Sequence, residues 1–217
     1  MTTHTHPDAS AADGTTVPPP ALANADATTA SLIADPAPLG LAGFAMTTFV
    51  LSCFNAGLID GKLEAVVLPV ALLYGGLAQF FAGMWEFRKG NVFGALAFSS
   101  YGAFWMSFAA LVKFVAPGLP PASAHQAVGL YLLAWTIFTG YMTIASYRTN
   151  GVVFAVFTAL TVTFLALTIG EFASSTGWAK LGGYLGLLTA ALAWYGSFAG
   201  VTNSTFRRSV IPTWPRT

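Results

Sequence analysis

Long apolar runs separated by short polar stretches dominate the chain from about residue 39 onward. A hydrocarbon core about 30 Å thick needs roughly 20 residues of helix. Six runs are long enough, at residues 39–58, 65–85, 92–115, 127–146, 151–170 and 180–200. They are continuous and lack the alternation of barrel strands, so helices are favoured. The pattern predicts an all-α integral membrane protein with six transmembrane helices.

The segment at residues 1–33 has a different character. It is rich in alanine, threonine, aspartate and proline and contains no lysine or arginine. It lacks the basic start and apolar core of a secretory signal, so we expect a disordered, uncleaved tail. His4 and His6 in it are expected to be solvated rather than bound to a metal. The predicted organisation is this tail, a transmembrane domain at 34–203 and a short cytoplasmic tail at 204–217.

Basic residues at the ends of the apolar runs predict the orientation. Three lie on the side away from the N-terminal tail: Lys62, Lys113 and Lys180. Six lie on the side of the tail: Arg88, Lys89, Arg148, Arg207, Arg208 and Arg216. Because cytoplasmic loops carry an excess of lysine and arginine, we expect both termini in the cytoplasm. The expected location is the plasma membrane.

The stretch before the first apolar run reads "DPAP". Proline fixes its own φ angle and disfavours the helical region for the residue before it, but it is tolerated in the first turn of a helix. We therefore expect the first helix to begin near Pro38, with Asp35 bonding its free N–H groups.

Polar residues recur at helical spacing on single faces of several runs. Glutamine and carboxylate side chains are costly in lipid, so they are expected to face the bundle interior or water. The alternative for any serine or threonine is helix packing, which also suits the glycines at 182, 186, 196 and 200. The predicted polar lining consists of Thr48, Ser52, Asn55, Gln79, Ser99, Ser100 and Thr161.

Composition limits the function further. The 217 residues are 55% hydrophobic and only 8% charged, and the formal net charge of +1 gives no basic field for nucleic acid. The membrane segments carry no phosphate-binding glycine loop, zinc-type Cys/His cluster or Ser/His pair. We therefore predict no enzyme, no cofactor and no metal site. Cys53, the single cysteine, is expected to serve packing.

Two long motifs resemble those of the acetate uptake transporters, also called succinate-acetate permeases. "DPAPLGLAGFAMTTF" is similar to the N-terminal signature of that family, and "YGGLAQFFAGMWEFRKGNVFGALAFSSYGAFW" to its central block. The resemblance extends from about Asp35 to about Pro212. Asp35 departs from the family pattern, because the family signature usually begins with asparagine at this position. An added negative charge near a mouth would weaken anion entry.

The resemblance implies a homohexamer in which each six-helix protomer carries its own path for acetate and related small carboxylates, possibly succinate. It also implies a hydrophobic constriction formed by Phe44, Tyr101 and Leu160. At about 1.5 Å per residue these three lie roughly 9 to 14 Å into helices that enter from the same side, so they can meet at one level. The polar lining would bond carboxylate oxygens on either side.

The coupling of transport is left open by the sequence. The protein is predicted to be an anion channel or a proton-coupled symporter, with Glu86 as the candidate proton site. An interfacial ion pair with the neighbouring Arg88 and Lys89 is the alternative for that carboxylate. A carboxylate sensor and a structural membrane protein are the alternative functions.

Overall fold

The structure, a computed structural model, describes Met1 and residues 33–216. The rest of the predicted polar tail, including His4 and His6, lies outside the described residues. Six helices are long and apolar enough to cross a membrane: α1 (Ala37–Asn55), α2 (Gly61–Lys89), α3 (Val92–Gly118), α4 (Ala124–Ser146), α5 (Gly151–Phe172) and α6 (Thr176–Phe206). The six-helix prediction is confirmed.

The first helix begins as the two prolines predict. Its first residue is Ala37, one position before the expected start, and Pro36 precedes it. The Asp35 carboxylate accepts a hydrogen bond from the Ala37 N–H at 3.1 Å, which satisfies one of the N–H groups that lack a partner within the helix. The helix ends at Asn55, earlier than expected, and Gly57 follows in the left-handed region with φ at +73°.

The second helix is irregular. It opens with a 3₁₀ turn at Gly61–Val66, continues as α-helix, widens into a π turn at Leu73–Ala78 and returns to α-helix at Gln79–Lys89. A side chain at Gly75, within the π turn, would clash with Thr47 of α1. The wide turn and the absent side chain therefore let α2 approach α1 closely at mid-height.

Each helix packs against the next in the chain, and α6 returns to pack along α1. Aromatic rings join α3 to α4: the rings of Phe104 and Tyr131 stack with centroids 5.9 Å apart, and Phe104 meets Trp135 edge-on at 5.1 Å. In α6, Gly182 lies against Leu167 and Gly200 against Pro38, so these glycines serve packing within the chain. Since α6 ends where α1 begins, both described ends of the bundle lie on one face, here called the N-face.

The residues after α6 fold back onto the N-face. The Tyr195 hydroxyl donates to the Pro212 carbonyl at 2.8 Å. The Gly151 N–H donates to the Trp214 carbonyl at 2.8 Å, and the Arg216 N–H donates to the Thr149 carbonyl at 3.1 Å. The chain end is thereby attached to the loop between α4 and α5.

Candidate functional site

Two cavities lie inside the bundle, one toward each end. The entry cavity, of about 400 Å³, reaches the N-face, where its lining includes Asp35, Lys89, Asn91, Thr149 and Asn150. The far cavity, of about 220 Å³, lies toward the opposite end; its polar lining includes Thr48, Ser52, Asn55, Glu64, Trp105, Tyr131, Thr163 and Glu171. Both are large enough for a small solute together with a few waters.

Three large side chains lie where the two cavities meet. Phe44 and Leu160 line both of them, and Tyr101 lines the entry cavity. All three are buried, with 3–4% of their surface exposed. The rings of Phe44 and Tyr101 meet edge-on with centroids 5.7 Å apart. The structure therefore places the three residues that the family resemblance assigns to a constriction around the boundary between the two cavities.

The Tyr101 ring is held from several sides. Its hydroxyl shares a hydrogen bond with the Thr139 hydroxyl at 2.9 Å, and Thr139 in turn donates to the Trp135 carbonyl at 2.7 Å. The rings of Phe138 and Phe157 pack edge-on against it, with centroids 5.5 and 5.9 Å away. Tyr101 is thus held by contacts with α4 and α5 as well as by its own helix.

Gln79 lies in the wall of the entry cavity. Its side chain is 1% exposed, and its amide oxygen makes no hydrogen bond within the described part of the chain. Thr48 and Trp105 are comparable in the far cavity, where the buried hydroxyl and the buried indole N–H have no partner among the described residues. Buried polar groups are normally hydrogen-bonded, so these groups are available to a polar solute that occupies the cavities.

Three predicted lining residues lie elsewhere. Ser99 packs against Gly83, at the contact between α3 and α2. Thr161 shares a hydrogen bond with the Thr143 hydroxyl at 2.7 Å and joins α5 to α4. Ser100 is half-buried, and like the other two it is absent from the lining of both cavities. Ser99 and Thr161 thus make the helix contacts that were the alternative for such residues.

The Glu86 side chain is fully buried behind the wall of the entry cavity. It lies beside Asn91 and against Gly94, two residues that line the cavity. Neither carboxylate oxygen makes a hydrogen bond of standard geometry within the described residues. The ion pair at this end of α2 is made instead by Lys89, whose ammonium lies 2.7 Å from Asp35.

Several lining residues were missed by the sequence analysis. Trp105 lies one helical turn beyond Tyr101, and Glu171 lies three turns beyond Leu160, so extending each predicted face by helical steps would have found both. Lys89 and Glu64 belong to the ends of α2, where a charged residue is ordinarily at the membrane surface. Their place in a cavity lining depends on the packing of neighbouring helices.

Comparison with known proteins places the chain in a family. A family model described as the GPR1/FUN34/yaaH family matches residues 17–215. The chain belongs to that family. The chain is similar to "Accumulation of dyads protein 2" of Saccharomyces cerevisiae, with 44% identity over 176 residues. That match covers 77% of this chain but 61% of the yeast protein, so the chain spans less than two thirds of the length of this relative.

Bacterial members match over nearly their whole length. The "Succinate-acetate/proton symporter SatP" of Escherichia coli K12 is 41% identical over 180 residues, covering 83% of this chain and 95% of SatP. A solved structure titled "Structure of the bacterial acetate channel SatP" superposes with a TM-score of 0.78 at 40% identity, covering 83% of this chain and 99% of the solved one. This GPR1/FUN34/yaaH protein is therefore a multi-pass membrane protein with the fold of SatP.

Proposed function

We propose that the protein carries acetate and related small carboxylates, succinate among them, across the plasma membrane through a path in each protomer of a homohexamer. The observation that carries the proposal is that Phe44 and Leu160 line both cavities. The entry cavity, the constriction and the far cavity are then successive parts of one path. The substrate class follows from the relatives, a succinate-acetate/proton symporter and an acetate channel.

The lining suits a molecule with one charged end and one apolar end. The carboxylate needs hydrogen-bond donors in place of water, and the NH₂ group of Gln79 can donate on the N-face side of the constriction, whereas its unpartnered oxygen can accept only from water or a protonated acid. Thr48 and Trp105 supply a hydroxyl and an indole N–H on the other side. The methyl group tolerates the apolar walls. The constriction of Phe44, Tyr101 and Leu160 raises the barrier to passage of strongly hydrated ions, because they would have to lose water there.

The proposal is tested by uptake of labelled acetate into liposomes that contain the purified protein, with protein-free liposomes as the baseline. Gln79→Ala is expected to lower the rate roughly 5- to 30-fold, since one or two kcal/mol of hydrogen bonding is lost. Phe44→Ala should raise the rate for carboxylates larger than acetate, because the two cavities then merge. Phe81→Ala, on the exposed side of α2, is the matched control and should change neither the rate for acetate nor the rate for larger carboxylates.

The same liposomes distinguish a symporter from a channel. Uptake that follows an imposed pH gradient indicates proton coupling, and Glu86→Gln should then abolish the response to the gradient while leaving acetate exchange intact. Uptake that follows only the acetate gradient and the voltage indicates a channel. A folded wild-type protein that gives no flux above the baseline would contradict transport and favour the sensor function.

A further inference from the structure

The N-face mouth of the entry cavity contains an ion pair. The ammonium of Lys89, in the last turn of α2, donates to the Asp35 carboxylate at 2.7 Å. These two are the only charged residues in the lining of the entry cavity within the described chain. The cavity that a carboxylate would enter therefore has no net formal charge in its lining, although it contains a lysine.

The pair is accessible to solvent. The Asp35 and Lys89 side chains are 49% and 33% exposed. The same Asp35 oxygen also accepts the Ala37 N–H at 3.1 Å, so a single carboxylate oxygen serves both donors. Exposed ion pairs of this kind are weak, because water and salt compete for both charges. A free carboxylate that reaches the mouth competes with Asp35 for the ammonium.

Two amides lie beside the pair. The side-chain oxygen of Asn91 accepts the Gly94 N–H at 3.1 Å, and that of Asn150 accepts the Val153 N–H at 2.9 Å. Because each oxygen caps a helix, only the NH₂ groups could bond a ligand, and that of Asn91 already lies beside the buried Glu86 carboxylate, which leaves the NH₂ group of Asn150. The mouth thus combines the Lys89 ammonium and the Asn150 amide, two donors suited to a carboxylate, with the Asp35 carboxylate that is already bound to the ammonium.

We propose that Lys89 binds the substrate carboxylate at the mouth of the entry cavity, and that Asp35 competes for it and so sets the concentration at which the path is half-saturated. This inference rests on the proposed transport of carboxylates. Lysine presents a compact point charge that binds any carboxylate without demanding a fixed geometry. Asp35 offers it the same chemical group as the substrate, attached to the protein.

The decisive variant is Asp35→Asn. The asparagine oxygen can still accept from Ala37 and Lys89, so the start of α1 and the shape of the mouth are retained while the negative charge is lost. In equilibrium exchange of labelled acetate at about 10 mM salt, we expect half-saturation at a roughly 3- to 10-fold lower concentration, with the maximal rate little changed. The decrease in the half-saturation concentration should be smaller at about 150 mM salt, because the Debye length is then about 8 Å and the charge of Asp35 is screened.

A second variant tests whether Lys89 mediates this effect. Lys89→Gln should raise the half-saturation concentration, and adding Asp35→Asn to it should give no further gain, because the two residues act through one contact. Lys62→Gln, at the opposite end of α2, is the matched control and should leave exchange unchanged. Exchange of acetamide, which lacks the charge, should be the same in all variants.

The outcomes separate this inference from the proposed function. If the wild type exchanges acetate and Asp35→Asn has the same half-saturation concentration at both salt concentrations, the role of the ion pair is overturned. Transport itself then still stands. An equal gain for acetamide also overturns the role of the ion pair, because the substitution would then have widened the mouth. Failure of the folded wild type to exchange acetate overturns the proposed function and this inference with it.

Discussion

At the scale of single residues, the Tyr101 hydroxyl is a buried polar group on a side chain that packs against Phe44. Tyr101 and Thr139 are both buried, at 3% and 0% exposed, and their hydroxyls lie 2.9 Å apart. A hydrogen bond between two groups shielded from water matters chiefly when one partner is removed, because the other then stays buried without a partner. Thr139 therefore helps to position the Tyr101 side chain, although it lies in neither cavity lining.

This arrangement predicts that Thr139→Val lowers the free energy of unfolding by about 1–3 kcal/mol, since the Tyr101 hydroxyl loses its partner. Thr139→Ser should restore most of the stability. Tyr101→Phe should cost less, and adding Thr139→Val to it should cost little more, because the pair is already broken. The measurement is unfolding in detergent, with the ratio of acetate to larger-carboxylate uptake as the functional readout. Additive losses in the double variant would contradict the coupling.

At the scale of secondary-structure elements, the segment after α6 holds the loop between α4 and α5. The Trp214 ring stacks on Tyr195 with centroids 6.2 Å apart and planes 15° apart. The Arg216 guanidinium lies 4.8 Å from the Tyr147 ring centroid and 4.6 Å from that of Phe154. The neighbouring residues Thr149 and Asn150 line the entry cavity. The chain end thus supports one side of the mouth.

We therefore predict that Trp214→Ala loosens this loop. Losing the stacked ring costs about 1 kcal/mol locally, which corresponds to roughly fivefold faster hydrogen exchange at the Gly151 amide, a donor to the Trp214 carbonyl. Arg208→Ala, in the turn after α6, is the control and should leave that amide unchanged. Exchange at Gly151 that is equally slow in wild type and Trp214→Ala would show that the backbone bonds alone hold the segment.

The helices themselves were predictable because apolar length and helix composition are properties of the sequence. The residues at which the helices begin and end were harder to predict. The last apolar run was expected at 180–200, whereas α6 extends over Thr176–Phe206. Hydropathy marks only the apolar part of a helix that continues into polar residues. The π turn at Leu73–Ala78 was not foreseen either, because it depends on contacts with neighbouring helices.

The site could be predicted where one helical face determines it. Phe44, Thr48, Ser52 and Asn55 follow one face of α1, and all four line the far cavity. Ser99 could not be assigned in this way, since whether its face meets a cavity or Gly83 depends on the position of another helix. The assignment of Phe44, Tyr101 and Leu160 to a constriction rests on resemblance alone, because Phe44 and Leu160 otherwise look like ordinary core residues, and it stays a prediction.

At the scale of the whole molecule, one chain supplies the residues that line each cavity. The entry cavity takes lining residues from α1, α2, α3 and α5, and the far cavity adds residues of α4. The outer face carries many exposed apolar side chains, such as Phe81, Ile144 and Phe198, which suit contact with lipid or with other protomers. An assembly of such chains would contain as many paths as protomers.

This independence predicts how a mixed assembly behaves. Leu160→Trp should block the constriction of its own protomer, so co-expressed wild-type and blocked subunits should give acetate flux that falls linearly with the blocked fraction. A path shared by several protomers would instead lose flux much more steeply, since one blocked subunit would close the path for all. Leu165→Trp, on the exposed side of the same helix, is the control and should leave flux unchanged. The number of subunits is measured from the intact mass of the assembly, which we expect to be that of six protomers. That number is needed to calculate how steeply flux would fall if the path were shared.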